Sequence, residues 1–439
     1  MKLKAGAAKR EITPPIGTDL AGFIARLGPS RAVAEPIHVR ALVVSNEERT
    51  LAIVQADLLG FAPWQVAEVR DYAGQRLGIR ADSVLLSATH THSSPGLVLV
   101  RGCRMAPYEY QWHVVAQIQD ALEEARARLS PASLEISSVP YSLGVNRRQE
   151  TANGVVLGLA PEKPHPQTLE VARLRADNQR IILFSHACHP YIMGGDSLYV
   201  SGDFPSLACF ELEQEGGTIG FFLNGCAGNI APQSAFQGIE KAREEGKRLA
   251  VAVHKALKHA HNDDSASIGA ATSLVHLPYL PLPSEAEIDS IVKKEERVVR
   301  PEEKRNAEIQ RKIAEALAAW SSLMKEIVRR SCPLVPVQCE IQALGIGRLT
   351  LLGISGEPFY EIGEKLRAQS RLPTIWPLGY TNAYCGYIPT QEEHPRGGYE
   401  VDDSWKYVGV WKIDDTCERR ILESGKAVLG NLAFDMPPS

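Results

Sequence analysis

The sequence predicts an α/β fold: a central mixed, mostly parallel sheet flanked by helices, in a single domain over residues 1–439 that carries an inserted helical hairpin at 284–331. Three observations predict it. Short apolar runs alternate with helical patterns through the first half, those runs end in polar motifs, and residues 284–331 change to a Glu, Lys, Arg and Ala composition.

Taken in order, Arg40 to Ser45 and Leu51 to Asp57 read as strands joined by the polar turn Asn46-Glu47-Glu48-Arg49. Gln65 to Leu77 reads as a helix, and Ser83 to Ser87 as a buried strand running into Ala88-Thr89-His90-Thr91-His92. Tyr110 to Leu129 is a long amphipathic helix, and Arg180 to Ser185 and Thr218 to Leu223 are two further apolar strands. Pro301 divides the inserted segment into two helical stretches. In the second, Ile309, Ile313, Leu317, Trp320, Leu323 and Ile327 recur every three or four residues and form an apolar stripe. Packing of that stripe on the parent domain is the plain reading; a lid, or an isologous homo-oligomer through residues 284–331, are the alternatives. Strand patterns resume at Val335 to Ala343 and Arg348 to Ile354, which predicts that the sheet continues after the insertion.

Composition narrows the function. With 48 basic and 52 acidic residues the net charge is −4, so no basic field exists to hold a nucleic-acid backbone. Apolar runs are far shorter than the roughly 20 residues of a membrane-spanning helix, so no integral membrane segment is expected. Met1 to Pro15 lacks the apolar core of a signal peptide, and a cytoplasmic location is expected. The 8 cysteines include no C-x-x-C pair, which disfavours a thiolate zinc finger.

Chemistry-bearing residues gather at the strand ends, where open α/β sheets collect ligands. Thr89-His90-Thr91-His92-Ser93-Ser94-Pro95-Gly96 contains an H-x-H pair whose imidazoles point the same way on an extended chain. Phe184-Ser185-His186-Ala187-Cys188-His189-Pro190 offers two more histidines, of which His186 is expected to bond backbone. His254, His259 and His261 fall on or beyond a helix and read as solvated. Asn224-Gly225-Cys226-Ala227-Gly228-Asn229-Ile230-Ala231-Pro232-Gln233 has glycines that permit close backbone approach and can expose amides to negative charge. Gly353-Ile354-Ser355-Gly356-Glu357-Pro358 places a carboxylate after a strand, and residues 379–393 carry Tyr380, Tyr384 and Tyr387, which on the sequence alone rank equally.

In this order the segments resemble the neutral/alkaline (non-lysosomal) ceramidase family, whose catalytic domain shows T-H-T-H-S-x-P-G, a strand ending in x-x-H-P, N-x-G-D-V-S-P-N, P-G-E, and N-x-Y-x-x-Y-x-T-x-E-E-Y. Gly144-Val145-Asn146-Arg147-Arg148 is similar to the family's N-R-S segment, and Pro36-Ile37-His38-Val39-Arg40-Ala41 to its early P-L-x-A-R-A strand. The resemblance implies one zinc ion per chain, held by His90, His189, Glu357 and Tyr387, with His92 as general base and acid. It also implies that Arg147 and Tyr384 bind the substrate carbonyl and stabilise its oxyanion.

Three departures shape the expectation. Asn229-Ile230-Ala231-Pro232-Gln233 replaces D-V-S-P-N and lacks the family's pocket serine, the last motif ends Glu392-Glu393-His394, and the chain leaves no room for the family's C-terminal immunoglobulin-like domain. The expected activity is therefore zinc-dependent hydrolysis of the amide in a small N-acyl compound, which need not be ceramide. Hydrolysis of an ester or lactone is the alternative within the same chemistry. A non-catalytic binding or assembly protein that retains the fold is the alternative outside it.

Overall fold

The apolar runs of the first half pair into one sheet of nine strands in the computed structural model, which describes residues 2–177, 179–298 and 307–435. Alternation along each strand builds two cores. In His38–Ser45, Val39, Ala41 and Val43 face a layer formed by the helices Pro63–Leu77 and Tyr108–Ala127, while Leu42 and Val44 face the other way. The helices Asp203–Glu213 and Ile239–Leu257 cover the far end of the same helical face, against Val171, Ile182 and Phe184.

On the opposite face lies a second sheet of four strands, Ile268–Leu277, Val337–Ile346, Leu349–Ile354 and Thr374–Leu378. Leu344, Ile346, Leu349, Leu351 and Trp376 pack against Ala5, Ala7, Leu42, Val44 and Ile53 between the sheets. Helices Tyr360–Gln369 and Cys417–Asp435 cover its outer side. The result is four layers, helix on sheet on sheet on helix.

The fold is α/β with a mixed sheet flanked by helices, as the sequence implies, but the mostly parallel expectation is corrected. Among the described residues, parallel pairing in the large sheet is confined to its two ends, Thr50–Ala56 with Val84–Ala88 and Gln179–Ser185 with Thr218–Phe222. Each of those pairs is bridged by a helix, as parallel neighbours require. The middle of the sheet pairs antiparallel, and two of its pairs, His38–Ser45 with Thr50–Ala56 and Thr168–Ala176 with Gln179–Ser185, are hairpins closed by tight turns. One such turn is held by the Asn46 side chain, whose Oδ1 accepts from the amides of Glu48 and Arg49 at 2.9 and 2.7 Å.

The expectation that the sheet continues past the insertion is also corrected. The later strands belong to the second sheet, and Leu277 pairs directly with Val337, so residues 284–331 are an insertion into a single antiparallel hairpin. Its helices are Glu285–Val298 and Ala307–Arg329; Pro301 lies outside the described residues. Ile309, Ile313 and Leu317 pack on Ile24 and Ala25, and Trp320 packs on Trp405 and Trp411. Most of the stripe is thus covered by the chain itself, as the plain reading expects. Leu323 departs from the expected pattern: it is 41% exposed, and Met324 takes its place because a helix of 3.6 residues per turn returns to the same face four residues after Trp320.

Candidate metal centre

Strand ends from both sheets meet at one point. Val84–Ala88 delivers His90 and His92, Gln179–Ser185 delivers His189, Leu349–Ile354 delivers Glu357, and the chain after Thr374–Leu378 delivers Tyr380, Tyr384 and Tyr387. Asn224 sutures the two histidine loops, its Nδ2 donating to the carbonyls of Thr89 and Cys188 at 3.0 and 3.1 Å. The amide of His92 donates to Pro190 O at 3.2 Å. Glu357 and Tyr387 become neighbours through a two-residue parallel pairing of Glu357–Pro358 with Tyr387–Ile388. Gly228 lets the third loop pass beneath: a Cβ there would meet Glu357 O at 2.4 Å, while its amide donates to Pro358 O. The glycine-rich loop therefore serves close backbone packing, and the Gly228 amide is not open to a developing negative charge.

His90, His92 and His189 are buried, and their ligating nitrogens lie within 4.8 Å of one another. The Nδ1–H of His90 donates to Leu59 O at 2.7 Å, and that of His189 to Ala227 O at 2.7 Å. In a neutral imidazole this leaves Nε2 as a bare lone pair. Both Nε2 atoms face the same carboxylate oxygen, Glu357 Oε2, at 3.3 and 3.0 Å. Acceptor thus faces acceptor twice, an arrangement that repels unless a cation lies between. Protons answer this poorly at His189, where burial, with Arg147 adding to it, lowers the pKa to about 4. A single divalent ion satisfies all three atoms at once, and the donor set, imidazole nitrogen with carboxylate oxygen, suits one.

His92 differs from the other two. Neither of its ring nitrogens has a hydrogen-bond partner, and burial first, then the adjacent imidazoles, pushes its pKa well down. It is therefore a neutral group able to take up a proton or to contribute a lone pair. Tyr384 donates its hydroxyl to Glu357 Oε1 at 2.6 Å. Arg147 donates from Nη2 to the Tyr387 hydroxyl at 3.1 Å and from Nε to Glu400 at 2.8 Å. All seven residues singled out in the sequence thus meet, although Tyr384 and Arg147 contact Glu357 and Tyr387 directly.

Other residues complete the site; apart from Tyr380, which the sequence names without a role, they escape the sequence reading. Tyr380 stacks on the His90 ring at 4.1 Å, and Glu400 holds both Arg147 and Arg148. Tyr191 lies 5.4 Å from the rings of both His92 and His189, and Tyr399 meets Tyr387 edge-on at 5.9 Å. Glu400 and Tyr399 sit six and five residues beyond the tyrosine motif's end at His394, where no spacing rule points to them. His186 bonds backbone as expected, facing Thr168 O and the Leu143 amide. His394 lies against the Cys417 thiol at 3.6 Å, and Asn229 caps the helix Tyr360–Gln369, its Oδ1 accepting from the Tyr360 amide at 2.8 Å. His259 and His261 are exposed and His254 is half-buried beside Glu215.

No known family profile matches the sequence. The neutral ceramidase of Mycobacterium tuberculosis (strain ATCC 25618 / H37Rv) is 36% identical over 87 residues, a stretch covering 18% of this chain and 13% of that protein. The crystal structure of neutral ceramidase from Pseudomonas aeruginosa superposes with a TM-score of 0.73 and 19% identity, covering 98% of this chain and 75% of that one. The chain therefore has the fold of that neutral ceramidase, and the matched stretch spans about an eighth of the length of the curated relative. A ceramidase complexed with C2 superposes similarly, with a TM-score of 0.71 at 17% identity, covering 98% of this chain and 76% of that one.

Proposed function

We propose that the chain is a zinc-dependent hydrolase that cleaves the amide of a small N-acyl compound. The observation that carries this reading is the pair of buried imidazole lone pairs aimed at one carboxylate oxygen, with a third, unpartnered imidazole within 4.8 Å. His90, His189, Glu357 and Tyr387 would hold one ion per chain, and their mixture of nitrogen and oxygen donors favours zinc. When bound, zinc supplies Lewis acidity, polarising a carbonyl and lowering the pKa of water toward about 7.

The protein's own groups do the rest. His92, neutral and unpartnered, takes the proton from the attacking water and returns it to the leaving nitrogen. Arg147 has five N–H groups and uses some of them on Glu400 and Tyr387, leaving donors for a carbonyl oxygen as it gains charge. Tyr384, which fixes Glu357, stands beside the same point. The reading treats residues 1–439 as one catalytic domain. A cytoplasmic location accompanies it, supported by eight cysteines that are all free thiols.

A second reading, an ester or lactone as substrate, is favoured by Ala231. This residue stands where the related family has a pocket serine and pairs with Val145 beside Arg147, so that wall offers no hydroxyl to an amide N–H. An assay of N-acyl amides beside matched esters and lactones tests both. Faster turnover of the amides supports the first reading, and turnover of lactones alone replaces it with the second. In the same assay His189→Ala is expected to lose zinc and activity together. His92→Ala is expected to keep zinc while turnover falls about 10²- to 10⁴-fold.

A further inference from the structure

The loop of residues 20–26 forms a wall over His92. A Cβ on Gly22 would meet the His92 ring at 2.5 Å, and the Phe23 ring lies edge-on to it at 4.9 Å. The loop is pinned by Arg26, which is 2% exposed. Its guanidinium donates to three carbonyls from three segments: His92 O at 2.7 Å, Ala21 O at 2.9 Å and Ser197 O at 3.0 Å. Each of these hydrogen bonds goes to a neutral carbonyl and none to a carboxylate. A buried guanidinium without a counter-charge is costly, and a hydrophobic contact would close a loop more cheaply. What the guanidinium provides is a rigid planar fork that can serve several carbonyls at fixed angles. Behind it stands the inserted helix Ala307–Arg329, where Lys312 donates to Arg26 O at 2.5 Å and Ile309, Ile313 and Leu317 pack on Ile24 and Ala25.

We infer that Arg26 is a positioning residue for His92, and that the helix Ala307–Arg329 is a brace holding Arg26 and the 20–26 wall against the centre. The inference rests on the proposed role of His92 in moving the proton. It gives the insertion a function inside the subunit. Loss of the fork would let the His92 backbone and ring drift while leaving His90, His189 and Glu357 in place, because those residues are fixed by other partners.

Two readouts on the full chain as purified test it, with Arg26→Met, Ile313→Ala and, as control, Arg311→Met, which lies on the same helix but is exposed and paired with Glu315. The first is the rate at which diethyl pyrocarbonate modifies His92, followed by mass spectrometry of the His92 peptide. It is expected to rise about five-fold or more in Arg26→Met and Ile313→Ala, as local opening becomes easier, and to be unchanged in the control. The second is hydrolysis, where kcat is expected to fall about 10- to 100-fold with KM within about two-fold and zinc content unchanged. A folded Arg26→Met protein with the parent's His92 reactivity and kcat overturns the inference. If Arg26→Met does not fold, Ile313→Ala decides by the same criteria. If the parent protein hydrolyses neither amides nor esters, the proposed function fails while the modification rates still decide whether Arg26 positions His92.

Discussion

Glu357 Oε2 is the atom on which the centre turns, since two imidazole lone pairs converge on it and the Tyr384 hydroxyl fixes its sister oxygen. Gly228 makes room for it. Gly228→Ala would set a methyl group 2.4 Å from Glu357 O, a backbone atom that cannot step aside. We expect a loss of about 1–3 kcal/mol in stability, read by urea denaturation, together with lower zinc content. Normal metal content in that variant would show that Glu357 is not held as described. Glu35 gives a second prediction. Burial raises its carboxyl from 4.5 to about 8, against donors from Ser201 and Gly202. The folded chain then keeps a proton that the unfolded chain releases, so stability is fully present below about 4.5 and is lost as pH rises toward about 8. Glu35→Gln keeps an accepting oxygen for Ser201 and Gly202, and its melting temperature is expected to fall less than the parent's between pH 5 and pH 8. Parallel curves for the two proteins would contradict this. At this scale the site was legible where polar residues end apolar strands, as at His90, His92, His189 and Glu357. Tyr380 could not be told apart from Tyr384 and Tyr387, and Glu400 and Arg26 were not legible, because each acts on segments distant in the chain and carries no spacing of its own.

Elements were read well wherever hydrophobic periodicity alone decides them. The helix expected over Gln65 to Leu77 forms as Pro63–Leu77, started by a proline and closed by the left-handed Gly78, and the strand ends that carry the histidines fall within a residue or two of expectation. The strand Lys4–Glu11 was missed. Its Ala5-Gly6-Ala7-Ala8 core has little β propensity, and its small residues answer a demand visible only in the fold: a Cβ on Gly6 would meet Ala125 O of the helix Tyr108–Ala127 at 2.3 Å. The inserted helix offers a contrast within one apolar stripe. Trp320 is fully buried between Trp405 and Trp411, whereas Leu323 is 41% exposed. Trp320→Ala is expected to cost about 3–5 kcal/mol, and Leu323→Ala to stay within about 0.5 kcal/mol of the parent, by urea denaturation. Equal effects would mean that the helix is rotated from its described register.

At the scale of the molecule, the sequence implied layers of helix and sheet but not that there are two sheets face to face. Apolar strands buried on both sides look alike whether helices or another sheet cover them, and the antiparallel middle follows from turn lengths that periodicity does not report. The centre lies where both sheets end, so the proposed metal binding would be coupled to folding: residues from about 90 to 387 must be in place before the ligands meet. Among the described residues no helix is long and apolar enough to cross a membrane. Stripping the ion is expected to lower stability, and restoring zinc at about 100-fold above its Kd to return roughly 3 kcal/mol. Elemental analysis of the purified chain is the most direct test of the whole account. It predicts about one zinc per chain in the parent and none in His189→Ala. A parent protein that carries no metal and hydrolyses its substrate equally well with and without a chelator would contradict it.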